Sequence, residues 1–243
     1  MRKVSLLAAV ALAVLAHAPS AGQSTGFSLK AGPSVAIQAW DSYDRDPLFG
    51  YHLDVQAESI SDQPRSFYAS LGYHRRGSAI RTRAFQGRDA AGNIQTVNPA
   101  DIKFLFNNVA LALGAKQHRD LGNVRGHISL ALRGEVNVST DLGGEEAERV
   151  NQLGIGLPYP TDEFVNRFVY GVDVGLGADV PLGPALDGLL ELRVSPDLSR
   201  QYFQPAFRYF DVRSGNNQNS PDRSINNITF ELSLGLRWIN FAE

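Results

Sequence analysis

Between Tyr170 and Val180 the chain alternates strictly. Tyr170, Val172, Val174, Leu176, Ala178 and Val180 are apolar or aromatic, and Gly171, Asp173, Gly175, Gly177 and Asp179 stand between them. Successive side chains of an extended strand point to opposite faces, so this segment has one greasy face and one carrying carboxylates and hydrogens. A glycine-rich phosphate loop is the rival reading. The dinucleotide fingerprint G-x-G-x-x-G needs a third glycine at position 180, where this chain has valine, and no helical periodicity follows. Pro181-Leu-Gly-Pro184 follows instead, which ends a strand in a turn. The glycines therefore belong to a strand.

The same period recurs along the chain. Phe27, Leu29, Ala31, Val35 and Ile37 share one face, and Phe49, Tyr51, Leu53, Val55 and Ala57 oppose His52, Asp54, Gln56 and Glu58. Phe67, Ala69, Leu71 and Tyr73 oppose Tyr68, Ser70, His74 and Arg76, and Val109, Leu111, Leu113 and Ala115 continue the pattern. Val124, Ile128, Leu130, Leu132 and Val136 oppose Arg125, His127, Ser129, Arg133 and Glu135. Leu190, Leu192, Val194 and Leu198 oppose Glu191, Arg193, Ser195 and Asp197; Ile228, Phe230, Leu232, Leu234, Leu236 and Trp238 oppose Thr229, Glu231, Ser233 and Arg237. With a strand over Phe164–Val180, this makes about eight strands, most near the ~9–11 residues that a tilted membrane strand needs.

The connections alternate as well. Short turns fall at Ser59–Arg65, His118–Asn123 and Pro181–Asp187, and longer polar loops at Ala39–Leu48, Gly77–Lys103, Asn137–Glu163 and Gln201–Ser224. Outer-membrane barrels have short periplasmic turns and long outer loops. A soluble sandwich has no reason to sort its loops this way. Aromatics at strand ends, among them Trp40, Tyr43, Phe49, Phe104, Phe106, Phe164, Phe168, Tyr202, Phe203, Trp238 and Phe241, fit the girdles of such a barrel. The expected fold is all-β: an eight-stranded antiparallel up-and-down transmembrane β-barrel with short periplasmic turns and long extracellular loops.

The N-terminus agrees. Met1-Arg2-Lys3 is a positive start, Leu6–Leu15 (LLAAVALAVL) a short apolar run, and Ala16–Gly22 (AHAPSAG) a small-residue stretch. This is the three-part pattern of a secretory signal peptide, cleaved between Ala18 and Gln23. The apolar run is well short of the ~20 residues of a spanning helix. Residues 1–22 are expected to be the signal peptide and 23–243 the barrel domain in the outer membrane. The formal net charge of −2 includes no basic block that would engage nucleic acid, and the absence of cysteine rules out a disulfide framework.

Alternation alone does not say which face is inside, and a soluble barrel binding a small ligand would alternate too. The charged face carries both signs: Lys30, Arg76, Lys116, Arg125, Arg133, Arg167, Arg193 and Arg237 against Asp54, Glu58, Glu135, Asp173, Asp179, Glu191, Asp197 and Glu231. Such a set can pair inside a narrow lumen. An eight-stranded barrel has room inside only for side chains, so an open porin is not expected. Function is then expected in the outer loops, at the lipid face, at the periplasmic turns or in a partner.

FYASLGYHRRGSAI (Phe67–Ile80) looks like the third strand of PorT-like outer-membrane barrels of Bacteroidota, with an aromatic, basic and glycine ending. NNVALALGAKQ (Asn107–Gln117), Tyr170–Val180 and FELSLGLRW (Phe230–Trp238) sit in that family's order, so the resemblance covers nearly the whole chain after residue 22. Its motifs are barrel grammar without a catalytic signature, and the chain ends Phe241-Ala-Glu where the family ends on an aromatic. The resemblance implies a non-enzymatic envelope component, in contact with outer-membrane lipid and lipopolysaccharide, with secretion machinery or other envelope proteins as partners.

A lipid-modifying enzyme is the alternative. His127-Ile-Ser129 resembles the His-x-Ser of lipid A deacylases, and His and Ser two apart share a strand face, as a base and nucleophile must. They share it, however, with Arg125 and Arg133 on the charged register, and Glu135 lies six residues from Ser129, roughly 20 Å along a strand. Acidic clusters at Asp41, Asp44 and Asp46, and at Glu145, Glu146 and Glu148, lack the glycine spacing of a calcium loop. GRDAAGN (Gly87–Asn93) is turn chemistry at the tip of a hairpin. His52, His74 and His127 fall on the polar face of separate strands and are expected to hydrogen-bond in the lumen. No catalytic, cofactor-binding or metal-binding residue is assigned. Mass spectrometry of the protein recovered from membranes should find a mature N-terminus between Pro19 and Gln23; a chain still carrying Met1 would refute the signal peptide.

Overall fold

The computed structural model describes residues 24–40, 46–60, 63–81, 84–88, 93–97, 101–142, 162–211 and 215–240. Its strands are β1 (Ser24–Trp40), β2 (Asp46–Ile60), β3 (Arg65–Arg81), β4 (Phe85–Arg88), β5 (Ile94–Val97), β6 (Asp101–Asp120), β7 (Arg125–Leu142), β8 (Phe168–Gly183), β9 (Leu186–Pro196), β10 (Tyr202–Gln204), β11 (Phe207–Asp211), β12 (Asn216–Ser220) and β13 (Arg223–Asn240). Eight of them form one sheet in the order β1-β2-β3-β6-β7-β8-β9-β13, and β1 pairs antiparallel with β13 to close it. Short β10 pairs with the start of β13, while β4–β5 and β11–β12 are separate hairpins beyond the barrel.

The stagger of the barrel follows from the registers. A path stepping across paired residues runs Ser28, Gln56, Ser70, Ala112, Arg133, Gly171 and Asp197. From Asp197, whose N–H donates to the Asn227 carbonyl, it returns to β1 at Gln38. It has climbed ten residues, from 28 to 38. At ~3.3 Å per residue and ~4.7 Å between strands, that stagger tilts the strands by about 41° on a backbone cylinder of about 8 Å radius.

Burial settles the sidedness. Along β13, Ile228, Phe230, Leu232, Leu234, Leu236 and Trp238 are exposed, whereas Asn227, Thr229, Glu231, Ser233 and Arg237 are buried. Leu234 is 65% exposed and Glu231 1%. A soluble barrel has the opposite arrangement. From Ile228 to Trp238 the apolar stripe rises about 25 Å along the barrel axis, the height of an outer-membrane hydrocarbon band. The same stripe appears as Leu53 and Val55 on β2, Leu130 and Leu132 on β7, and Val174 and Leu176 on β8.

Several boundaries differ from expectation. The pair β3–β6 continues to Arg81 and Asp101, well into the expected Gly77–Lys103 loop, because antiparallel pairing satisfies backbone groups above the membrane as well as within it. Gly87 and Arg88 belong to β4, paired with β5, and the tip at 89–92 lies outside the described residues. The strand expected from Phe164 begins at Phe168, after a 3₁₀ turn at Asp162–Phe164. Pro181 does not end its strand: β8 runs to Gly183 with a register shift after Pro181, and the turn is Pro184-Ala185. A register irregularity is where a residue without an N–H is tolerated.

The aromatic girdle is also partly corrected. Phe49, Phe168 and Trp238 are exposed on the lipid side, but Phe104, Phe106 and Tyr202 are buried at the outer mouth. Phe104 and Phe106 share the parity of Asn108 and Ala110, the inward face, and Phe106 packs against Tyr202 and Ile225. Tyr43 and Phe241 lie outside the described residues. Leu232 is near mid-height of the stripe, so Leu232→Arg should lower folding stability in lipid vesicles by about 2–4 kcal/mol in a denaturant titration. An unchanged midpoint would contradict the lipid-facing assignment.

Candidate functional site in the barrel interior

The glycines of Tyr170–Val180 stand opposite interior side chains of β7. Gly171 is level with Arg133, Gly175 with Ser129 and Gly177 with His127. A methyl group added at any of the three would come within 3 Å of that partner's side chain. Each glycine therefore provides the room that a bulkier cross-strand neighbour occupies.

Those neighbours belong to a lattice of ion pairs. Among the described residues, seven Lys and Arg side chains are buried; six of them (Lys30, Arg76, Lys116, Arg133, Arg193 and Arg237) lie in a lattice with nine carboxylates, Asp54, Glu58, Glu135, Asp173, Asp179, Asp187, Glu191, Asp197 and Glu231, and the seventh, Arg223, lies beside Ser220. Toward the outer side, Arg133 binds Glu135, Asp173 (2.8 Å) and Asp197 (2.9 Å). Arg76 reaches Glu135 (2.7 Å) and Glu231 (3.5 Å), and Arg193 reaches Asp54, Glu191 and Glu231 at 3.0–3.4 Å. His74 bridges Asp54 (3.2 Å) and Glu231 (2.7 Å). Nearer the short turns, Lys30 pairs with Glu191 (3.1 Å), Lys116 with Glu58 (2.8 Å), and Arg237 with Asp179 (2.9 Å) and Asp187 (2.6 Å). Burying this many charges is costly, and mutual pairing in the low-dielectric lumen is what offsets the cost.

Above the lattice the outer mouth is apolar. Phe106, Tyr202 and Ile225 pack together, with Leu142, Phe164 and Val165 against them. Val165 is bridged to Tyr202, which draws the 3₁₀ turn over the barrel. At the opposite, periplasmic end is a cavity of about 620 Å³ lined by the turn Gly122–Val124 and by Asp120, Arg125, Asp179, Asp187 and Arg237 among others.

His127 and Ser129 are both buried on the interior face, away from the lipid. The carboxylate that their own strand lacks does arrive from neighbours: Asp179 Oδ1 is 3.2 Å from His127 Nδ1, and Glu191 Oε2 is 3.6 Å from Nε2. His52 and His74 stack at 5.9 Å, and His52 Nε2 lies 2.8 Å from Ser233 Oγ. His127 is not level with them; its ring neighbour is His118, at 5.7 Å. His118, in the turn His118–Asn123 expected from sequence, lies in β6 with the parity of Lys116, the signal that points to it. Arg125 and Arg167 do not join the lattice. Arg125 pairs at the surface with Asp120 (3.3 Å), and Arg167 is exposed. Asp46 opens β2, while Asp41, Asp44, Glu145, Glu146 and Glu148 lie outside the described residues.

No protein-family model matches this chain, and no curated protein matches it. Solved outer-membrane proteins do. OprG of Pseudomonas aeruginosa is similar over 90% of this chain and 98% of its own, with 7% identity and a TM-score of 0.51. Neisserial surface protein A is similar over 87% and 96%, with 15% identity and a TM-score of 0.45. The outer membrane protease OmpT of Escherichia coli is similar over 92% and 99%, with 7% identity and a TM-score of 0.44. What the chain shares with OprG is the fold, and with its apolar outer stripe the protein is an outer-membrane β-barrel.

Removing one partner from a buried pair leaves charge uncompensated. Arg133→Met, which removes the ion-pair partner of Asp173 and one partner each of Glu135 and Asp197, should destabilise the barrel by about 3–5 kcal/mol, and Arg125→Met, on an exposed pair, by under ~1 kcal/mol. Equal losses in parallel denaturant titrations would contradict the buried lattice.

Proposed function

We propose that this chain is a closed, non-enzymatic outer-membrane barrel that serves as a structural or interaction component of the envelope. The observation that carries this reading is the filled interior. Ion pairs occupy the lumen, and the Phe106–Tyr202–Ile225 cluster lies over it, so a permeating solute would have to break buried pairs in series. The surfaces left for partners are the two outer hairpins, the periplasmic turns and the lipid-facing stripe, which meets outer-membrane lipid and lipopolysaccharide. The buried positions of His127 and Ser129 speak against a base and nucleophile working on acyl chains. The resemblance of Phe67–Ile80 and the later strands to PorT-like barrels supports a narrower role beside protein-secretion machinery.

Two measurements test this. In planar lipid bilayers the purified barrel should produce no discrete conductance steps; a reproducible unitary step would replace the scaffold with a pore. A strain lacking the gene should lose a defined class of exported or surface proteins, restored on complementation. An unchanged surface proteome would remove the secretion role and leave the scaffold.

A further inference from the structure

At the periplasmic end the buried side chains of His118, His127 and Asp179 converge, with one potential donor atom from each lying within 4.8 Å of the others. They come from β6, β7 and β8, three consecutive barrel strands. Of their polar atoms, His118 Nδ1 is buried without a hydrogen bond, while His127 Nδ1 meets Asp179 Oδ1 (3.2 Å), His127 Nε2 meets Glu191 (3.6 Å) and Asp179 Oδ2 meets Arg237 (2.9 Å). Buried polar atoms are nearly always satisfied, and an ion is one explanation for an orphaned ring nitrogen beside a second imidazole and a carboxylate.

The surroundings prepare these atoms as ligands. His118 Nε2 lies 3.1 Å from Glu58 Oε1, so donation there leaves Nδ1 with its lone pair free. A carboxylate behind a metal-bound imidazole is the usual outer partner. His127 Nε2 points at Glu191 (3.6 Å), which leaves Nδ1 on the side of Asp179 Oδ1. Arg237 holds Asp179 Oδ2 at 2.9 Å, so Oδ1 is the oxygen left to coordinate.

We propose that His118, His127 and Asp179 bind a divalent transition-metal ion at the periplasmic mouth of the barrel. Two imidazoles and a carboxylate are a zinc donor set. Side-chain rotations of about an ångström bring donors 4.8 Å apart to the ~3.4 Å spacing of a tetrahedron with ~2.1 Å bonds. Three protein ligands leave a fourth position, and the cavity that Asp179 lines provides entry for the ion and room for a water. The ion would tie β6, β7 and β8 together at the end where short turns already join β6 to β7 and β8 to β9.

The test uses the full chain in detergent without a histidine tag, stripped with chelator and then dialysed against zinc. One zinc per folded chain is expected by elemental analysis, and cobalt in its place should give visible d–d absorption. His118→Gln and Asp179→Asn should weaken zinc binding at least ~10-fold, and His52→Gln, in the outer layer, should not, with folding followed by heat-modifiable gel migration. Where a variant does not fold, the imidazole nitrogen resonances of the unaltered protein decide. Zinc must shift those of His118 and His127 and leave His52 and His74 in place. Absence of stoichiometric zinc on the folded barrel, unchanged binding in folded His118→Gln and Asp179→Asn, or shifts confined to His52 and His74 would each overturn the site.

Discussion

The pairing of β1 with β13 is the interaction on which the rest of the structure depends. In hydrocarbon there is no water to satisfy backbone N–H and C=O groups, so a sheet can cross a membrane only if its two edge strands find each other. Here that pairing runs from Thr25 opposite Asn240 to Trp40 opposite Ile225, nearly the full length of both strands. Closure with a ten-residue stagger in turn sets the tilt, the radius and the height of the apolar stripe. The lipid face needs only greasy side chains of ordinary strand propensity. The inside is a narrow cylinder that must be filled.

It is filled with charge. A small barrel could be packed with apolar residues, but then both faces of every strand would be greasy and the chain would have no preference for which face meets lipid. Polar inner faces remove that ambiguity, at the cost of desolvating the ions. The cost is kept down by sharing: Arg133, Arg76 and Arg193 each contact several carboxylates, and most carboxylates are held by more than one cation or imidazole. Glycine is the spatial counterpart of this sharing. Gly171, Gly175 and Gly177 leave room for Arg133, Ser129 and His127, which explains why one strand is so rich in glycine without being a nucleotide loop.

Much of this was legible in the chain. The alternation of Tyr170–Val180 and Ile228–Trp238 placed the strands, and the sorting of short and long connections placed the turns. What was misread came from following composition where parity was the better guide. Phe104 and Phe106 look like girdle residues because they are aromatic and near a strand end, yet their even numbers put them on the face of Asn108. His118 looks like a turn residue because Asp120, Gly122 and Asn123 follow it, yet it shares its parity with Lys116.

The sequence by itself determined the number of barrel strands, the two chemically distinct faces and the end at which the turns are short, because each is a local property of spacing two or of loop length; it did not show the short strands β4, β5, β10, β11 and β12. Only the tertiary structure decided which face is inward, since alternation is symmetric and a one-residue slip exchanges the two faces. It also decided which charges meet. Asp197 reaches Arg133 from another strand, and His118, His127 and Asp179 gather from three, because levels in a staggered barrel depend on every register around the cylinder at once.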